Sequence, residues 1–216
     1  MIKKIMIMAN VLGMAAGPAA AGILLKPLGS PSQFAAPVGV IWNFNTNATP
    51  AGFAPIAGSG YTLQLGSNSL GAQPAFSDGS RYLAVQGGGT ATLQSTQRFD
   101  SVSWFMGSID AFNSVSILDT LGNVITTFTG SEFTSPFSPD GNQALNVTNR
   151  RLTFVRQASD PFIGGITFRS RSNSAEVDNV VFAVPEPSTW LLMLAGFGVV
   201  GVSMRARRRG TNAVLA

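Results

Sequence analysis

Arg151-Leu152-Thr153-Phe154-Val155-Arg156, followed after a short gap by Ile163-Gly164-Gly165-Ile166-Thr167-Phe168-Arg169, is the stretch whose pattern decides the fold. Leu152 and Phe154 alternate with Thr153 and Val155, and Ile166 and Phe168 alternate with Thr167 and Arg169. Successive side chains of an extended chain point to opposite faces, so this period of two belongs to strands with one face buried. Working outward, similar short segments rich in β-branched and aromatic residues recur at Val38–Phe44, Tyr61–Leu65, Arg81–Val85, Thr90–Gln94 and Ser101–Met106. Others lie at Ser114–Leu118, Val124–Phe128, Ala144–Val147 and Ala175–Phe182. Clusters of Gly, Pro, Asn, Asp and Ser separate them, including Ser77-Asp78-Gly79 and Leu121-Gly122-Asn123, and Gly87-Gly88-Gly89 reads as a hairpin turn. No helical period competes. About eleven closely spaced strands predict an all-β fold, an antiparallel β-sandwich over residues 37–183. A jelly-roll-like topology is the first expectation, since it places eight strands in two sheets.

Charge and composition divide the chain into a body and two ends. Hydrophobic residues make up 45% and charged residues only 11%, low for a soluble domain, so part of the apolar excess belongs to membrane-directed segments. The formal charge of +4 is likewise a property of the ends. Between Gly22 and Pro187 stand eight basic residues, Lys26 and seven Arg, against all ten acidic ones, a net of −2. A nucleic-acid footprint requires basic residues clustered on the folded body, and none is evident, so no nucleic-acid partner is expected. Cys and His are absent. Disulfides, thiolate or imidazole metal sites, Ser-His-Asp triads and Cys-His dyads are thereby excluded, leaving oxygen-ligand metals and carboxylate chemistry.

Residues 1–21 read as a secretory signal peptide. Lys3 and Lys4 form a positive start, Ile5 to Ala16 is apolar apart from Asn10, and Ala19-Ala20-Ala21 supplies small residues for cleavage after Ala21. The Sec translocon and signal peptidase are the partners this implies. Residues 22–36 form a flexible, Pro/Ser/Gly-rich lead-in.

The other end is more informative. Val184-Pro185-Glu186-Pro187-Ser188-Thr189 leads into an uncharged run from Trp190 to Met204, and then into Arg205-Ala206-Arg207-Arg208-Arg209. Pro185 and Pro187 keep that segment extended and accessible to a processing enzyme. Ser188 suits a helix N-cap, Trp190 suits the membrane interface, and Arg205, Arg207, Arg208 and Arg209 form a stop-transfer cluster. The apolar run of fifteen residues gives a helix of about 22 Å, short of the roughly 30 Å hydrocarbon core. Extension through Ser188 and Thr189, with snorkelling arginines, makes residues 188–204 a short transmembrane helix fit for temporary residence in the inner membrane.

Pro185-Glu186-Pro187, a short glycine-containing hydrophobic helix and an arginine cluster, in that order, resemble the PEP-CTERM sorting signal (residues 184–209, with 210–216 as a cytoplasmic tail). Trp190 and the Leu194-Ala195-Gly196-Phe197-Gly198 run resemble its alphaproteobacterial variety, although that variety usually has alanine where this chain has Leu191. The resemblance implies recognition by the membrane protease exosortase and cleavage near Pro185-Glu186-Pro187. The product would reach the cell surface or extracellular matrix of a Gram-negative bacterium that makes exopolysaccharide.

Two internal stretches offer polar side chains. Gly107-Ser108-Ile109-Asp110-Ala111-Phe112-Asn113 resembles a pattern found in exosortase-dependent surface proteins. Asp110 and Asn113 would there offer oxygens to Ca²⁺ or to sugar hydroxyls, or else hydrogen-bond their own backbone in a tight turn, which is the favoured reading. Glu176-Val177-Asp178-Asn179-Val180 places Asp178 and Asn179 before the end of the last strand, which resembles carbohydrate-binding sandwiches with a structural calcium. The alternative is two side chains on the solvent face. Asp100, Asp110, Asp119, Glu132 and Glu176 are the acids available to a glycosidase, a thin pool, and no catalytic residues are assigned: the body is expected not to be an enzyme. It is expected to be structural or adhesive, with carbohydrate binding to exopolysaccharide as the alternative. Trp42, Trp104 and Tyr82 discriminate, since sugar rings stack on exposed aromatic faces.

Overall fold

The computed structural model describes residues 23–25, 34, 38–183 and 196–198. The signal peptide, most of the lead-in, the Pro185-Glu186-Pro187 motif and the arginine cluster lie outside the described residues, as does the membrane helix apart from residues 196–198. Those three are helical, and no helix among the described residues is long and apolar enough to cross a membrane.

Among the described residues, ten strands and one short helix make up the body. They are β1 Ile23–Leu25, β2 Val40–Trp42, β3 Ala57–Gln64, β4 Tyr82–Phe99, β5 Ser101–Gly107, β6 Asn113–Asp119, β7 Val124–Thr129, α1 Gly130–Thr134, β8 Arg150–Val155, β9 Ile163–Ser170 and β10 Ala175–Ala183. Every strand pairing is antiparallel. The order is β1-β8-β5-β10-β4-β9-β6-β7, with β2 added to β10 and β3 to β4. The all-β antiparallel architecture is as the alternation predicts, and its strands form one sheet that curls to enclose a core.

The long strand β4 makes the bend. Its first part, Leu83 to Val85, pairs with β10, and its second part, Thr90 to Gln94, pairs with β9. Gly87-Gly88-Gly89 is therefore a corner inside a strand, where the expectation was a hairpin turn. Gly88 has φ +82°, and a Cβ at Gly87 would run into the carbonyl of Ser172. The chain needs glycine there for close approach and for bending, which is how glycine functions at sheet corners. Arg81–Val85 and Thr90–Gln94, read as two strands, are thus one. Ala144–Val147, read as a strand, belongs to a turn. Its polar flanks hydrogen-bond locally, with Asn142 Oδ1 accepting from the amides of Ala144 (2.8 Å) and Leu145 (3.0 Å), in place of a ladder.

The two halves of the curl face each other across one core. Trp104 on β5 meets Phe168 on β9 with ring centroids 6.2 Å apart, and Phe128 on β7 meets Phe154 on β8 at 5.8 Å. Leu152, Phe154, Ile166 and Phe168 all point inward, as their alternation requires. Trp42 and Trp104, at 4% and 0% exposure, belong to this core, while Tyr82, at 0%, is buried on the other face of β4, where its hydroxyl donates to the Gly66 carbonyl (3.0 Å).

Candidate functional site

The opposite face of β5, β8 and β10 carries the polar groups. On β10, Ala175 and Val177 face the core, so Glu176 and Asp178 share the other side, where Ala72 lies against Glu176 and Phe34 meets Arg151. Glu176 is 1% exposed. Its carboxylate accepts hydrogen bonds from the hydroxyls of Ser108 and Ser174 and, at 3.1 Å, from the amide of Ala72. Burial pushes its pKa up, and these donors pull against that shift. The Ala72 segment and the turn after β5 are thereby tied to β10 through one side chain.

Asp110 lies on the rim of the same cavity, of about 160 Å³, which Ser67, Asn68, Gln143 and Asn173 also line. Burial first, then the neighbouring charges of Glu176 and Asp140, push the Asp110 pKa up to about 6. Gly141, with φ +67°, packs directly on its carboxylate: a Cβ would sit 2.5 Å from Oδ1. The cavity thus gathers two carboxylates, hydroxyls and carboxamides, a surface of acceptors with reversible donors.

Asn113 does not face this cavity. Its Oδ1 accepts from the Asp110 amide (2.7 Å), its Nδ2 donates to Ser170 Oγ (3.2 Å), and it is 1% exposed. Asp178 and Asn179 form a third location. Asn179, at φ +51°, sits in a bulge of β10, where its Oδ1 accepts from Arg151 Nη2 (2.5 Å) and its carbonyl from both terminal nitrogens (3.2 Å each). Arg151 also donates to Ser103 Oγ (2.5 Å) and to the Phe34 carbonyl (2.9 Å). Asp178, fully buried, accepts from the Asn179 amide (2.6 Å). Burial drives its pKa up to about 8; Asp78 adds to the rise, while the Asn179 hydrogen bond and Arg151 oppose it. The structure therefore brings Asp110 to Glu176, and Asp178 with Asn179 to Arg151, as two separate clusters.

Calcium takes six to eight oxygens. Among the described residues no group of three or more acidic side chains is placed to hold a metal ion. Asp110 and Glu176 supply two carboxylates, and both Glu176 oxygens already accept from hydroxyl or amide donors. Pairing Glu176 with Asp110, and burying Arg151 on a polar face, are features that reading along the chain missed. Their one sequence signal is a charged residue inside each alternating run.

The remaining candidate lies at the exit of β10. Residues 183–209 match the family description "PEP-CTERM protein-sorting motif". The chain carries a PEP-CTERM sorting signal. The PEP-CTERM match begins at Ala183, the last residue of β10, so the folded body and the sorting signal adjoin without a spacer. No curated protein matches the chain significantly. Among solved structures, a family 29 carbohydrate-binding module is similar at 14% identity and a TM-score of 0.40, covering 68% of this chain and 90% of that one. The K2 cleaved adhesin domain of Lys-gingipain is similar at 15% identity and 0.43, covering 68% and 100%. CsCBM6-3 from Clostridium stercorarium, in complex with cellobiose, is similar at 13% and 0.36, covering 62% and 88%. At these scores the matches transfer neither topology in detail nor function.

Proposed function

We propose that this chain is an exported surface or extracellular-matrix protein. The Sec translocon and signal peptidase deliver it, the PEP-CTERM tail holds it briefly in the inner membrane, and exosortase cuts that tail. The β-domain is then displayed as a structural, adhesive module without catalytic activity. The observation that carries this reading is the PEP-CTERM match at residues 183–209, beginning where the last strand ends.

The geometry of β10 supports it. This strand is hydrogen-bonded to β5 on one side and to β4 and β2 on the other. Load arriving from the C-terminal side therefore acts along an internal strand and is shared between two ladders. The role of Glu176 as a clamp for two other segments supports a non-catalytic body, because its oxygens are committed to hydrogen bonds that hold them.

Localisation tests the proposal. Full chain and a truncation ending at Ala183 are expressed in the native host, and the periplasmic, membrane and surface fractions are compared by immunoblot. The full chain is expected at the surface, with the truncation accumulating in the periplasm. Equal surface amounts of both would refute the sorting role.

A further inference from the structure

Separate from the Glu176 cavity, with which it shares no lining residue, the ends of β6, β7 and β9 enclose a cleft of about 240 Å³ that has no carboxylate in its lining. Arg169, near the end of β9, and Arg171, just beyond it, both face this cleft and are exposed. Two positions along an extended chain separate their origins by about 6.6 Å. Neither forms an ion pair among the described residues, where the pair Arg156–Asp100 at 2.6 Å shows the geometry such a contact takes. Of the acids that flank the cleft wall in sequence, one lines the other cavity and one is held by hydrogen bonds to the lining residue Thr129. Asp110 lines the Glu176 cavity, and Glu132 Oε2 accepts from the amide (2.7 Å) and the hydroxyl (2.9 Å) of Thr129.

Hydrogen bonds tie the cleft floor together. Arg171 N donates to the Phe112 carbonyl (3.2 Å), and the buried Asn113 ties its own strand to Ser170. Phe112 is half-buried and contributes apolar surface to the wall. Around the arginines the solvent-facing rows of the sheet are hydroxyls. Thr90, Ser114 and Thr129 lie in register with Arg169, and Thr92, Thr167, Ser116 and Thr127 form the adjacent row. In that row Thr92 and Thr167 share a hydrogen bond at 2.8 Å, as do Ser116 and Thr127.

We propose that the cleft flanked by Arg169 and Arg171 binds the carboxylate groups of an acidic polysaccharide. Guanidinium forks match carboxylates with paired, charge-assisted hydrogen bonds. Hydroxyls both donate and accept, so the surrounding Thr/Ser rows complement ring hydroxyls, and the half-buried Phe112 offers apolar surface to a sugar ring. An acidic peptide shares the charge but not the ring hydroxyls that these rows are arranged to meet. That such a polymer is this protein's neighbour rests on the surface reading above. The binding itself does not, so failed localisation and failed binding are distinct results.

The test uses the purified full chain in neutral detergent, titrated calorimetrically with polygalacturonate, which carries a carboxylate on each sugar. Dextran and polyglutamate are the comparison polymers. Polygalacturonate is expected to bind more tightly than either, with affinity falling at least about tenfold between low and high salt as charges are screened. The double variant R169Q/R171Q is expected to lose at least about tenfold in affinity. R81Q/R98Q, which removes the same charge away from the cleft, is expected to bind like the parent, with thermal unfolding confirming that both variants are folded. Absence of polygalacturonate binding, equal binding of dextran or polyglutamate, or equal losses in the two double variants would each overturn the proposal.

Discussion

Arg151 is a guanidinium with no exposed surface, on the side of β8 turned away from the apolar core. Burial lowers its pKa to about 10, and Asp178 opposes that shift, so the group stays charged at neutral pH. It fastens the Asn179 bulge, Ser103 and the Phe34 carbonyl together. Removing Arg151 leaves the buried Ser103 hydroxyl and the Asn179 oxygens without their donor. Arg151→Met is therefore expected to cost about 1–3 kcal/mol in urea unfolding of the mature protein. The Asp178 carboxyl also sets a pH dependence. Its folded pKa of about 8 exceeds its ordinary 3.8, so the folded chain holds a proton that the unfolded chain has released. Stability from this group is greatest in acid and is lost as pH rises through that window. Asp110, at about 6, acts in the same direction over a narrower range, reduced by its partial exposure. The melting temperature is expected to fall between pH 5 and pH 8, and Asp178→Asn to flatten that fall; an unchanged slope in the variant would contradict the assignment.

Elements show what could be read along the chain and what could not. The alternation at Leu152, Phe154, Ile166 and Phe168 identified strands and their inner faces because one-sided burial is written locally. The continuity of β4 was hidden because three glycines carry no side-chain period and imitate a turn, whereas the reasons for them are the Ser172 carbonyl against Gly87, the positive φ of Gly88 and the Gly60 carbonyl against Gly89. Ala144–Val147 misled for the opposite reason: its composition suits a strand, but Asn142 and Thr148 offer its backbone nearer partners. Asp110 was legible as a polar loop residue, yet its pairing with Glu176 depends on strand neighbours that no local pattern states. The corner itself is testable. Gly87→Ala is expected to destabilise the domain by about 1–3 kcal/mol through the forced contact with Ser172. Thr96→Ala, exposed on the same strand, should stay within about 0.5 kcal/mol.

For the whole molecule, the order of strands and the place of the tail form one argument. The last strand of the body is internal to the sheet, and the PEP-CTERM match starts on its final residue. The described sheet is therefore complete where the sorting signal begins, and removal of the signal should leave it whole. A chain ending at Val184 is expected to melt within about 2 °C of the mature protein, measured by circular dichroism. The account stands most directly on where the mature chain begins and ends. Intact-mass spectrometry of surface material from the native host is expected to show a polypeptide running from near Gly22 to near Pro187. Surface material that retains its sequence through Arg209 to Ala216 would contradict it.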